Sequence, residues 1–139
     1  MTYIPESLRR EVRERAKGNC EYCLLNERYA IKQHEVDHIR AEKHGGLTVL
    51  ENLCLSCFDC NHFKGSDLSS IDPLTDEVVT LYHPRRDVWT KHFRLNGVQI
   101  EGLTPAGRVT VKLLQMNTLD RISRRWRLIE IGGYPPLNT

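Results

Sequence analysis

No apolar run of about 18 residues occurs in the 139-residue sequence, so no membrane span is expected. The opening residues, Met1-Thr-Tyr-Ile-Pro-Glu6, lack the basic and apolar regions of a signal peptide, and the expected location is the cytoplasm. Thiols stay reduced there, and clustered cysteines serve as metal sites more often than as disulfides. Internal repeats and low-complexity tracts are also missing, which argues against solenoid and linker architectures. Charge of one sign is scarce. The net charge of +2 is too small to establish a nucleic-acid partner by itself. Apolar residues at 40% and charged residues at 27% are ordinary for a soluble globular chain. The length fits one domain, or one small module with an extension packed against it.

Charge becomes informative when divided by segment. Residues 1–65 hold 10 Lys+Arg and 10 Asp+Glu, whereas residues 66–139 hold 10 and 8, so the excess lies wholly in the second part. It gathers around Arg121, Arg124, Arg125 and Arg127, with Arg85-Arg86 as a second basic spot. Two readings suit such a run: a solvated helix face or a phosphate-binding face.

Periodicity and turn chemistry predict the elements. Leu8, Val12 and Ala16 repeat every four residues, Pro5 suits a first helical position and Gly18 a stop, giving a helix over 5–17. One short strand is expected from Glu35 to Ile39, then a loop marked by Gly45-Gly46, then a helix from about Asn61. Residues 65–73 form a connection rich in turn formers. Asn96-Gly97 between His92–Leu95 and Val98–Glu101 is a two-residue hairpin signal. Thr104-Pro105 opens a helix to about Gln115. A last helix spans Thr118 to Ile131, with Ile122, Trp126 and Ile129 on its buried face.

Five cysteines carry the first specific signal: Cys20, Cys23, Cys54, Cys57 and Cys60. Two Cys-x-x-Cys pairs supply four thiolates, enough for the tetrahedral shell of a structural Zn²⁺. Cys54-x-x-Cys57 and Cys57-x-x-Cys60 are both permitted spacings. The apolar setting Leu53-Cys54-Leu55 favours Cys54 as a small core residue and Cys57 with Cys60 as ligands. Such a staple is used by binding modules and enzymes alike.

Between the pairs lies a chemical constellation. Glu35-Val36-Asp37-His38-Ile39 sets a carboxylate beside an imidazole, Asn52 follows fourteen residues after His38, and Cys60-Asn61-His62-Phe63-Lys64-Gly65 closes the second pair. The order Cys-x-x-Cys, Asp-His-Ile, Gly-Gly, Asn-Leu, Cys-x-x-Cys-Asn-x-x-Lys resembles the HNH endonuclease family over residues 13–65. That resemblance implies an α+β fold: a zinc-stapled ββα-metal core over 1–65 with an N-terminal helix, and over 66–139 a hairpin-plus-helices extension packed on it. It also implies His38 as general base, Asp37 as a metal ligand, Asn52 as the middle motif residue and Asn61 as the third, in a His-Asn-Asn variant. His62 leaves open a shift of the third position by one residue. The extension is similar to one found in some bacterial members through Pro84-Arg85-Arg86-Asp87-x-Trp89 and Thr104-x-x-Gly107-Arg108-x-Thr110.

The chemistry is consistent with that resemblance. Neutral imidazole takes a proton from water near neutral pH, which Lys and Arg do not. Asp37 and the Asn61 amide offer oxygen to a hard divalent ion, so Mg²⁺ or Mn²⁺ is the expected catalytic ion beside structural Zn²⁺. Asn52 is expected to bond loop backbone and orient His38. DNA is the expected partner, with Lys64, His62, Arg124 and Arg125 as candidate contacts and no membrane. Asp37 and His38 are neighbours on a strand and should point to opposite faces; ending the strand there would let both serve one phosphate. The remaining histidines, Trp89 and Trp126 read as surface or core residues. The alternatives are a non-catalytic zinc-knuckle module that binds nucleic acid, and a protein-interaction domain that zinc merely staples.

Overall fold

Helix α1, Glu6–Ala16, begins after Pro5, whose extended backbone makes it the N-cap rather than the first helical residue. Lys17 in the left-handed region and Gly18 at φ 75° end the helix by sending their N–H groups back to its last turn. The computed structural model describes residues 3–137. Among them no helix is long and apolar enough to cross a membrane.

Strands β1, Glu35–His38, and β2, Leu53–Ser56, pair antiparallel with Asp37 opposite Cys54 and His38 opposite Leu53. Leu53-Cys54-Leu55-Ser56 was not expected as a strand. It is buried on both faces, so the alternation that betrays a half-exposed strand is missing from its sequence. Period 2 places Val36, Leu53 and Leu55 on one face, where they pack with Ile4 and Val12 from α1's side. Each such side chain, fully buried, contributes about 1.5–3 kcal/mol. The other face carries Cys54 toward a larger core.

Helix α2, Phe58–Lys64, starts three residues before the expected Asn61, because the Cys57 sulfur caps it by accepting the Cys60 N–H at 3.4 Å. The unit β1–β2–α2 is thus a ββα arrangement within a mixed α and β fold.

Residues 65–73, expected as a connection, include β3, Ser69–Ile71, which pairs with β4, Val78–Thr80. Asp72 organises the turn between them. Its carboxylate accepts two bonds from Arg108, at 3.0 and 2.8 Å, plus the Leu74 N–H and the Thr75 hydroxyl. Four donors on one carboxylate replace the glycine-rich signal that sequence reading looks for.

A short helix α3, Trp89–His92, leads into the hairpin β5, Phe93–Asn96, and β6, Gln99–Gly102. Asn96 pairs with Gln99, so the two-residue turn is Gly97-Val98, one residue later than expected, with Gly97 at φ 61°. Helix α4, Pro105–Leu113, follows Thr104, whose hydroxyl accepts the Gly107 N–H at 3.0 Å. Helix α5, Leu119–Glu130, follows the equivalent cap at Thr118.

The buried face of α5 corrects the expectation. Arg121, Arg125 and Leu128 are buried, while Trp126 is 55% and Ile129 38% exposed. An apolar stripe at helical spacing marks a face but does not say which way it turns. Here polar acceptors inside outweigh it. Arg125 donates to the carbonyls of Val98 and Met116 at 2.6 and 2.8 Å, and Arg121 to that of Leu114 at 2.7 Å. The Val98 carbonyl lies in the β5–β6 turn and those of Leu114 and Met116 between α4 and α5. A buried carbonyl left unpaired costs about 1–3 kcal/mol.

Candidate functional site

Cys20, Cys23, Cys57 and Cys60 bring their sulfurs within 4.8 Å of one another, all buried. Each pair is closed by the same local bond: the Cys20 sulfur accepts the Cys23 N–H, and the Cys57 sulfur the Cys60 N–H. Cys54 stands apart, its sulfur 3.8 Å from the Tyr22 hydroxyl, and burial pushes its thiol up to about 12. The four-thiol set fits a structural zinc, whose shell is four soft ligands in tetrahedral array. Thiols this close cannot all ionise unaided. Hydrogen bonds from Cys20, Cys57 and Cys60 hold Cys23 well below the ordinary thiol range. Hydrogen bonds with Cys20 and Cys23 push Cys57 up, and burial pushes Cys60 up. A bound cation would oppose the upward push on Cys57 and Cys60 by favouring their thiolates.

One residue in contact with this cluster was assigned elsewhere from the sequence. Arg121 on α5 donates to the Cys60 sulfur at 3.0 Å, with Cys57 at 3.9 Å. Burial opposes its charge, but the thiolates of Cys60, Cys23 and Cys57 outweigh burial and its pKa is raised. The spacing of α5 gave no signal of this, because the partner lies some sixty residues away.

Asp37 and His38 occupy the last two positions of β1, after which the chain bends at Ile39 and Arg40. Their partners differ. His38 Nε2 meets the Thr48 hydroxyl at 2.9 Å. Asp37 is half-buried; burial raises its pKa, with Lys64 pulling the other way. Burial in turn lowers Lys64, which Asp37 partly offsets. Lys64 was expected to reach a phosphate, but it is 3% exposed and donates to the Ile39 carbonyl at 2.8 Å. That expectation is corrected: a helix packed on the end of β1 turns this side chain inward.

Asn61 faces β1, its amide nitrogen donating to Glu35 at 2.7 Å. His62, one position on, is exposed and stacks on Phe58 at 6.0 Å between ring centroids. Glu35 was left outside the expected site; lying two residues before Asp37 on one strand is the signal that it shares a face with it. Asn52 bonds loop backbone at three points. Its oxygen accepts the Arg40 N–H at 2.9 Å, and its amide donates to the carbonyls of Arg40 and Leu47 at 2.9 and 2.8 Å. Gly46 fits beneath because a Cβ there would collide with the Arg40 carbonyl. The loop following His38 is thereby tied to the start of β2.

Of the two arginines expected to face DNA, Arg124 is partly exposed, with its guanidinium 3.8 Å from Asp59. Arg125 is 5% exposed and fully engaged with interior carbonyls, so it is not a surface cation, which corrects the expectation. The two parts of the chain meet closely: the Trp89 indole donates to the Tyr22 carbonyl at 2.8 Å, and Arg85 pairs with Glu21.

Residues 20–67 match the family model of the HNH endonucleases. The Septu protein PtuB of Bacillus thuringiensis is 29% identical over 111 residues, covering 78% of this chain and 40% of that protein. The chain thus spans about two-fifths of the length of the curated relative it matches. No solved structure matches the chain.

Proposed function

We propose that the chain, whose residues 20–67 match the HNH endonuclease model, hydrolyses phosphodiester bonds in DNA, with His38 as general base and one divalent ion held by Asp37 and Asn61. The observation that carries the reading is the orientation of Asn61. Its amide nitrogen is committed to Glu35, two residues from Asp37 on the same strand, which leaves the carbonyl oxygen available as a ligating atom. A carboxylate oxygen and an amide oxygen suit Mg²⁺ or Mn²⁺. Bound there, such an ion supplies charge stabilisation to the scissile phosphate and the leaving oxygen.

The residues of the chain do the rest. Thr48 engages His38 Nε2, so Nδ1 is the nitrogen left to take a proton from water. The water oxygen bonds to phosphorus as that proton moves to the imidazole, and the phosphorus–oxygen bond to the leaving sugar breaks. Asn52 keeps the loop after His38 in place by its three backbone bonds, a positioning role. His62 and Arg124, both accessible, serve as strand contacts outside the reacting groups. Zinc in the four-cysteine cluster is structural in this scheme.

Plasmid incubated with and without Mn²⁺, scored for nicked and linear product, tests it. His38→Ala should lower the cleavage rate about 10²–10⁴-fold while DNA retention and zinc content stay unchanged. A variant that cuts at the wild-type rate sinks the assignment. Retention of DNA by the wild type with no cleavage in any metal leaves a binding module instead.

A further inference from the structure

A cavity of about 530 Å³ opens beside the proposed active site, between the loop that follows His38 and the segment from Thr80 to Arg86. The volume lies within the roughly 300–1,000 Å³ of small-ligand sites. Its apolar wall is Ile39, Leu47, Val49 and Leu68. Leu47 is 67% exposed and Val49 39%, so much of that apolar surface is left without a protein partner. Three cations border it, Arg40, Lys64 and Arg86, against two carboxylates, Glu51 and Asp67.

His83 adds a donor of defined form. Its Nδ1 accepts the backbone N–H groups of Arg85 and Arg86 at 3.1 and 3.2 Å. A ring nitrogen that accepts two bonds carries no proton, so the proton of the neutral ring sits on Nε2. Burial, and then Arg86, hold the His83 pKa below the ordinary imidazole value, which keeps that neutral form. The wall on the other side is braced by Asn52, whose amide ties Arg40 to Leu47. Arg40 lies two residues past His38, no more than about 7 Å of extended chain.

We propose that this cavity receives one unstacked nucleotide of the substrate strand next to the scissile phosphate, an inference that rests on the nuclease reading. The flat faces of a base meet Leu47, Val49 and Leu68, and its polar edge meets the Glu51 and Asp67 carboxylates of the rim. The phosphate of that nucleotide meets Arg86 and the His83 Nε2–H. Lys64 and Arg40 already donate to the Ile39 and His44 carbonyls, so Arg86 is the cation left for a ligand. A free phosphate would leave the apolar wall uncovered, an apolar ligand would leave Arg86 unanswered, and a nucleotide satisfies both. Extruding a base from a duplex costs a few kcal/mol, so single-stranded or distorted DNA is the favoured substrate.

Two measurements test this separately from cleavage. Histidine side-chain ¹H–¹⁵N spectra of the zinc-loaded protein, titrated with dAMP, should shift the His83 ring; inorganic phosphate at equal concentration should shift it far less. In cleavage of a single-stranded oligonucleotide, Arg86→Gln and the cavity-filling Leu47→Trp should each raise KM about tenfold, a loss of about 1.4 kcal/mol in binding, with kcat within about twofold. Leu47 is exposed, so a thermal melt confirms that the tryptophan variant folds. Equal shifts with dAMP and phosphate, no shift at His83, or unchanged KM in both variants would overturn the proposal. A fall in kcat alone would overturn it too, by making these residues supports of the loop. Should the wild type cut nothing, the nuclease reading fails while the dAMP titration still decides the cavity.

Discussion

Cys60 and Asn61 are consecutive on α2, yet the cysteine cluster and the proposed catalytic site to which they are assigned are built on opposite terms. Cys60 is fully buried in a cluster whose ligands come from two distant segments and whose charge is answered by Arg121 from α5. Asn61 is partly exposed, and its side-chain amide donates to Glu35 on β1. The first site is closed by the fold around it. The second rests on the β1–β2–α2 unit alone and stays open to solvent. That is the division expected between a structural ion, whose shell the protein completes, and a catalytic one, which needs open positions for water and substrate. One helix serves both because a step of one residue turns a side chain by about 100°.

The comparison can be broken at the closed site first. Cys60→Ser should abolish stoichiometric zinc and with it the cooperative thermal transition, since zinc binding in such sites is folding free energy of order 10 kcal/mol. Metal analysis with a circular-dichroism melt reads the outcome, and a variant that melts like the wild type would reduce the cluster to four packed thiols. His38→Ala, at the open site, should leave that melt in place while the activity falls.

Arg121→Leu comes next. Removing one partner of a buried charge pair costs about 3–5 kcal/mol, and here it also orphans the Leu114 carbonyl. Urea unfolding should show that loss, with faster zinc release to a chelator. Normal stability would mean that α5 does not answer the charge of the cluster.

A smaller effect separates two adjacent arginines. Arg125→Gln should cost about 1.5–3 kcal/mol through its lost charged hydrogen bonds and leave the salt dependence of DNA binding unchanged. Arg124→Gln should cost at most about 1 kcal/mol, because its pair with Asp59 is surface-exposed, and should flatten the log–log salt slope by about 0.9. Identical slopes for both variants would remove α5 from the DNA track.

The smallest effect concerns acid. Arg108 first, with the Leu74 N–H and Thr75 helping, holds Asp72 well below the usual carboxylate range. A depressed carboxyl stabilises the fold fully above its unfolded value of about 3.9, and that contribution drains away as pH falls below it. Asp72→Asn should therefore lower stability at neutral pH and flatten the acid limb below about pH 4. An acid limb of unchanged slope would show that other carboxylates set it.

Local chemistry was legible wherever it followed from spacing along one segment. The helix starts at Thr104-Pro105 and Thr118, the stop at Gly18 and the choice of Cys57 with Cys60 over Cys54 needed only neighbours in sequence. The β5–β6 turn was legible to within one residue, because Asn96 and Gly97 both tolerate turn geometry and only cross-strand pairing selects which positions turn. Strand β2 was not, because a strand buried on both faces shows no alternation. The hairpin β3–β4 was not, because a carboxylate and an arginine thirty-six positions apart make its turn.

By itself, the sequence determined the ligand chemistry: four soft sulfurs for zinc, a carboxylate, an imidazole and two amides in the order of an HNH unit, and a basic last helix. Tertiary structure alone decided which of those groups face inward. An amphipathic pattern sets the angle between two faces of a helix, while burial depends on what the rest of the chain offers to each. Here the interior offered carbonyls to Arg121 and Arg125, cysteine sulfurs to Arg121 as well, and to Lys64 a carbonyl near the half-buried carboxylate of Asp37. Three cations that sequence reading had set on the surface are therefore buried, since each meets inside the protein the polar partners that water would otherwise supply.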